Sequence, residues 1–187
     1  MLRPALALVF SIFWAQSAVA QDVAERDEAY LVKPGDALTV SVWKEEDLLQ
    51  EVIVRPDGGF SFPLAGDVQA AGRTVETIRQ ELTQKLARYI PDVVATVMVT
   101  AFEGNKIYVI GQVLSPGAFV MNPRVDVMQA LSLAGGTTPF AELNDIKILR
   151  RRNGQQSVLS FRYNDVARGR NLDQNILLQS GDVVVVP

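Results

Sequence analysis

From Tyr30 onward, apolar positions recur every second residue, then every third or fourth, then every second again, and the cycle runs twice. In the first round Leu38, Val40 and Val42 alternate with Thr39, Ser41 and Trp43, the period of a half-buried strand. "VIVRPDGGFSFP" predicts two short strands around Pro56-Asp57-Gly58-Gly59, a hairpin signal. Val75, Ile78, Leu82, Leu86 and Tyr89 then fall on one stripe of a helix. Thr74 can cap its first turn, Glu76 sits where the helix dipole favours an anion, and Pro91 ends it. "DVVATVMV" closes the round as a strand with Val93, Ala95, Val97 and Val99 on one side. Strand, hairpin, helix and strand make a compact α+β unit.

"FEGN" at 102–105 is a short polar break and the predicted domain boundary. "KIYVIGQV", which carries Gly111, and "SPGAFVM" read as two strands joined by the Pro116-Gly117 turn. "VDVMQALSLAGG" predicts a short helix with Val127, Leu131 and Ala134 on one face, terminated by Gly135 beside Gly136. "DIKILRRRNGQQSVLSF" is a hairpin about Asn153-Gly154. "DVVVV" is continuously apolar, the pattern of a strand covered on both faces. Two strands, a helix and further strands around a mixed sheet is the order of a β-grasp.

Both rounds contain a related phrase, "KPGDALTV" with Pro34, Gly35 and Asp36, and "QSGDVVVV" with Gly181 and Asp182. In the structural reading Gly makes the turn and Asp closes it on backbone N–H groups. The functional alternative, Asp36 and Asp182 as a catalytic pair, lacks a neighbouring group to raise one pKa. The dense basic run Arg150-Arg151-Arg152 reads as a solvated hairpin flank, with an anionic contact as the alternative.

Composition changes this picture mainly by exclusion. The chain has 187 residues, 48% of them apolar, and a net charge of −3, which suits small globular units and gives no basic excess for nucleic acid. Cys and His are both absent, so there is no disulfide, no cysteine for lipid attachment, and no Ser-His-Asp or Cys-His mechanism. Arg3, the apolar stretch 5–14 and Ala18 and Ala20 have the layout of a signal peptide over 1–20. A helix of ten residues spans roughly 15 Å, about half of a hydrocarbon core. Cleavage after Ala20 is therefore expected, with an uncleaved anchor lengthened by Ala15 to Ala20 as the alternative. Residues 21–28 read as a flexible lead-in, and the destination is outside the cytoplasm, the periplasm in a bacterium.

"YLVKPGDALTVSVW", "VRPDGGFSFPLAGDVQAAGRT" and "PDVVATVMV" together resemble the N-terminal domain of the polysaccharide export protein family, here residues 29–101. "KIYVIGQVLSPGAFVM", "ALSLAGGTTPFA" and "GDVVVVP" are similar to the soluble-ligand-binding (SLBB-type) β-grasp domain that is its usual second module, here 105–187. The resemblance implies an α+β fold of two such domains and a non-enzymatic part in exopolysaccharide or capsule export. It implies association with the cell envelope or outer membrane and no cofactor; no metal site is assigned. The implied partners are further copies in a ring, an inner-membrane co-polymerase and the polysaccharide. Larger members carry a lipidated Cys, further β-grasp repeats and a C-terminal pore helix. Their lack here leads to the expectation of a minimal periplasmic ring or adaptor, with a separate outer-membrane β-barrel as the pore. Trp43, Phe60, Phe62 and Phe140 are candidate subunit contacts, with core packing as the alternative. The turn residues Pro34, Gly35, Asp36, Pro56, Asp57, Gly58, Gly59, Gly111, Pro116, Gly117, Gly135, Gly136, Gly181 and Asp182 are taken as structural motifs, and no catalytic residue is assigned. Two other functions compete. One is a glycan-binding or regulatory module that forms no conduit, with Trp43 beside Lys44, Glu45, Glu46 and Asp47 as its platform. The other is a glycosidase working with two carboxylates.

Overall fold

Alternation and helix capping organise the first half much as the pattern predicts. The computed structural model describes residues 29–122, 124–152 and 154–187, so the signal peptide, the lead-in and Asn153 lie outside the described residues. Strand β1 (Ala37–Val42) buries Leu38, Val40 and Val42 and leaves Thr39 and Ser41 half-buried. The chain reverses at Trp43–Lys44, with Lys44 at φ 66, into the antiparallel β2 (Glu45–Ile53). A hairpin of β3 (Gly59–Phe62) and β4 (Gly66–Gln69) follows. Next come helix α1 (Val75–Leu86) and β5 (Ala95–Ala101), which pairs with the free side of β1. The result is a three-stranded sheet in the order β2-β1-β5 with α1 on its inner face. Ile78, Leu82 and Leu86 are fully buried there against Leu38, Val40 and Phe60. Burying side chains of this size contributes about 1.5–3 kcal/mol each, so the single stripe holds α1 in place.

Several expectations need correction here. The strands on either side of Pro56–Gly59 do not pair with each other: β2 pairs with β1, and β3 pairs with β4. The turn is real, but the strand that precedes it is already satisfied along β1. Helix α1 stops at Leu86 with Ala87 as its C-cap, short of Pro91, and Tyr89 is exposed. Phe60 and Phe62 are core residues, whereas Trp43 is 72% and Phe140 82% exposed.

The second half builds a mixed five-stranded sheet. Its elements are β6 (Lys106–Gly111), β7 (Gly117–Val120), α2 (Val127–Leu133), β8 (Ile146–Arg152), β9 (Gln155–Phe161), the short helix α3 (Tyr163–Val166) and β10 (Val183–Val186). The order is β7-β6-β10-β8-β9, with β10 parallel to β6 and antiparallel to β8. The last strand thus fills the middle of the sheet. Asp126 caps α2 reciprocally: its carboxylate accepts the Gln129 N–H at 2.8 Å, and the Gln129 side chain accepts the Asp126 N–H at 2.8 Å. Val127, Ala130 and Leu131 of α2 pack on Ile107, Val109, Ile146, Ile148 and Val184. The β10 valines alternate after all. Val184 and Val186 are buried, but Val183 and Val185 are only half-buried, because helices cover one face of this sheet and not the other. The buried apolar side chains of the two halves form two separate clusters. Among the described residues, no helix is long and apolar enough to cross a membrane.

Candidate functional site

The two Gly-Asp phrases fold into matching turns. In the first, the Asp36 N–H bonds the Lys33 carbonyl at 3.1 Å, and the Asp36 carboxylate accepts the Lys33 N–H at 2.8 Å. In the second, the Asp182 N–H bonds the Gln179 carbonyl at 3.0 Å, and the Asp182 carboxylate accepts the Gln179 N–H at 2.8 Å. Both aspartates are buried, and each has a further partner that makes burial tolerable. Asp36 accepts from the Tyr30 hydroxyl at 2.6 Å. Burial first, then the bond to Asp36 and its charge, push the Tyr30 phenol well above its ordinary range, so it stays a donor. Asp182 accepts the single Arg150 Nε–H, shared between its two oxygens at 3.0 and 3.1 Å, and an Nη2–H at 2.6 Å. Arg150 is therefore not a solvated flank: its side chain is 11% exposed and paired inside, while Arg151 and Arg152 remain exposed.

Tertiary folding brings the two turns to one residue, Gly104. The Asp36 carboxylate accepts the Gly104 N–H at 2.9 Å, and the Gly104 carbonyl accepts from the Ser180 hydroxyl at 2.7 Å. The Gly181 N–H bonds the Lys106 carbonyl at 2.8 Å. Beside it, buried Asn105 donates to the Met121 carbonyl and accepts from the Lys33 ammonium, both at 2.5 Å. Burial holds that ammonium below its ordinary pKa, although Asp36 opposes the shift. Gly104 admits no side chain, since a Cβ would fall 2.3 Å from the Pro34 carbonyl oxygen. The carboxylates are consumed by turn closure, and nothing in this geometry resembles an acid–base pair. Tyr30, Gly104, Asn105, Arg150 and Ser180 were not singled out by pattern for these roles. Their partners lie 6 to 76 residues away, beyond any local periodicity.

The remaining motif residues are dispersed. Around Pro56, the Gly58 N–H bonds the Arg55 carbonyl and the Arg55 N–H bonds the Gly59 carbonyl, both at 2.8 Å. Asp57 is held below the usual carboxylate range by the Gly59 N–H and then by Arg55. Gly111 lies at φ 94 against β10, where a Cβ would fall 2.0 Å from the Val186 carbonyl oxygen. Pro116 leads into β7, and Gly117 lies opposite Val109. Gly135 and Gly136 close α2, donating to the Ser132 carbonyl at 3.0 Å and the Leu131 carbonyl at 2.9 Å.

Among the described residues, three exposed surfaces can meet a ligand or partner. The outer face of the three-stranded sheet presents Leu49, Ile53 and Met98, with Trp43 at the hairpin tip over a shallow depression lined by Ser41, Leu49, Glu45 and Glu46. The outer face of the five-stranded sheet presents Tyr108, Ile110 and Val158 around the half-buried Val183, Leu149 and Val185. The exposed side of α1 is a polar groove lined by Arg73, Thr77, Gln80, Glu81, Gln84, Lys85 and Arg88. Burial raises the Glu81 carboxyl, but bonds from Arg73 and Lys85 outweigh it and hold it below the usual range. Amides, a hydroxyl and surplus cations suit a hydroxyl-rich or acidic ligand rather than an apolar one.

Comparison with known proteins agrees with the two-part fold. Residues 24–100 match the family described as polysaccharide biosynthesis/export protein, and residues 105–186 match the SLBB domain. The EPS I polysaccharide export outer membrane protein EpsA of Ralstonia solanacearum is 30% identical over 182 residues, covering 84% of this chain and 47% of that protein. The capsule polysaccharide export protein BexD of Haemophilus influenzae is 26% identical over 176 residues, covering 82% of this chain and 42% of that protein. The exopolysaccharide production protein ExoF of Rhizobium meliloti is 33% identical over 86 residues, covering 44% of this chain and 20% of that protein. The chain spans about half the length of the curated export proteins that it matches along most of its own length.

Proposed function

The chain belongs to the polysaccharide export protein family, and from that premise we propose that it is a non-enzymatic component of a bacterial exopolysaccharide or capsule export machine. In this reading it acts in the periplasm as a ring or adaptor that conducts the polymer toward an outer-membrane pore. Its partners are further copies of itself, an inner-membrane co-polymerase, a separate outer-membrane barrel and the polymer. The observation that carries the reading is the succession of the two matched regions, 24–100 and 105–186, along one chain. Physical argument supports repetition. A hydrated glycan needs a wide polar passage, and a unit of this size cannot enclose one. Copies related by a rotation axis can, through a head-to-tail contact that closes.

The experiment is removal of the coding sequence in the native host. Secreted polymer should fall sharply and return on complementation, and unchanged secretion would overturn the reading. A second reading, a glycan-binding module without a conduit, is favoured by one feature: Trp43, 72% exposed, beside the depression lined by Ser41, Glu45 and Glu46. A monodisperse monomer that binds oligosaccharide, and loses that binding in Trp43→Ala, would promote it.

A further inference from the structure

We propose, building on the repeated-subunit reading above, that the outer face of the five-stranded sheet seats the outer face of the three-stranded sheet of a second copy, so that copies join head to tail. An antiparallel or mixed sheet with one face in water normally alternates apolar-in and polar-out. Here that rule fails along one row. Strand register aligns Ala118, Tyr108, Val183, Leu149 and Val158 across all five strands on the uncovered side. At about 4.8 Å per strand the row is about 20 Å wide. Exposed Ile110 and Val120 and half-buried Val185 extend it into the flanking rows, and a contiguous apolar surface of this kind is a candidate interaction site.

Charge selects the occupant. The rows on either side of the band carry Lys106 and Arg151 on one flank and Lys147 on the other, and none of their described residues is a carboxylate. Glu103 and Asp145 pair with Lys106 and Lys147 from outside these rows. The three-stranded sheet has the opposite bias. Its outer face sets Glu51 in register with Thr39 and Met98, between Leu49 and Ile53, and Glu45, Glu46 and Asp47 crowd the adjoining hairpin tip against the single cation Lys44. Both faces are exposed in the same chain, so neither covers the other. With Lys106 and Lys147 neutralised by these ion pairs, Arg151 carries the charge of the five-stranded face; a second five-stranded face would bring only another Arg151, whereas the acidic face offers it a counter-charge together with apolar content. That contact is heterologous and can close into a ring.

The chain lacks cysteine, so introduced thiols report without background. In the purified protein, Val158→Cys and Leu49→Cys placed in one chain should give a ladder of covalent multimers under mild oxidation. An equimolar mixture of the two single variants should give a dimer that neither forms alone. In parallel, Tyr108→Glu and Leu49→Arg, each checked for native far-UV circular dichroism, should each reduce the mass by light scattering to that of a monomer. Mixed together they should form a dimer and nothing larger, because each retains one intact face. If the unaltered protein assembles while both variants keep its mass and no cross-link forms, this interface is wrong and the repeated-subunit reading stands. Self-cross-linking of Val158→Cys alone would also overturn the head-to-tail contact. A strictly monomeric unaltered protein would overturn both.

Discussion

Asp182→Asn should cost this protein far more than the loss of one surface charge. The Asp182 side chain is 1% exposed and holds the Arg150 guanidinium, itself 11% exposed, through three contacts of 2.6–3.1 Å. The amide of Asn fills the same space and can still accept the Gln179 N–H, but it leaves a buried guanidinium without its counter-charge. Breaking one side of a buried pair costs about 3–5 kcal/mol. The residual exposure of Arg150 places the expectation near the low end, about 3 kcal/mol. With a urea m-value of about 1.5 kcal/mol/M, the midpoint of unfolding moves down by about 2 M. Arg150→Met should be similarly damaging, since it strands the carboxylate. The double variant buries neither charge and should recover part of the loss, giving a coupling energy of about 2 kcal/mol. Urea titration by circular dichroism of the four proteins measures this cycle. If the double variant loses the sum of the single losses within about 0.5 kcal/mol, the two residues are not coupled and the reasoning fails.

Other expectations follow from the same geometry. Asp36→Ala leaves the half-buried Lys33 and Gly104 N–H groups without their acceptor; at about 1 kcal/mol each, the low end for an unsatisfied group, stability falls and limited proteolysis near 102–105 accelerates. Gly111→Ala must displace β10, because its Cβ would sit 2.0 Å from the Val186 carbonyl oxygen at φ 94; the melting temperature of the second half should fall by well over about 10 °C, taking about 3 kcal/mol for strain and displacement. The Glu76 carboxyl is lowered to about 2 by bonds from Arg79 and Gln80. Its folded pKa lies below the unfolded one, so its contribution is complete above the ordinary value of 4.5 and is lost as pH falls toward 2. An NMR titration of the Glu76 side chain in the folded protein should show that low midpoint, and a midpoint near 4.5 would contradict the contact.

Because the Asp36 carboxylate holds the Gly104 N–H and Ser180 holds the Gly104 carbonyl, the two turns constrain the connection between the two cores from both sides. The head-to-tail contact proposed above needs that relation to be reproducible, or successive copies would not close on themselves. Asp36→Ala therefore also tests assembly: variants that remain folded but lose the junction should form a broader distribution of masses.

Much of this protein was legible along the chain because much of it is local. The alternation at Leu38, Val40 and Val42, the stripe of Ile78, Leu82 and Leu86, and the turn at Gly154 each follow from a backbone period or a turn that neighbouring residues specify. The Gly-Asp turns belong to the same class, since the aspartate bonds a backbone group three residues away. What the chain order could not decide was which strand meets which. The Pro56–Gly59 turn looks like a hairpin, yet its two strands join different sheets because β1 offered β2 a longer partner. Whether Arg150 was a surface charge or a buried partner depended on Asp182, 32 residues on, and whether Phe60 or Trp43 faced the core depended on where α1 landed. Hydrogen bonding and periodicity act over a few residues and can be read in order; burial and pairing are set by the whole packed volume, and only the tertiary structure assigns them.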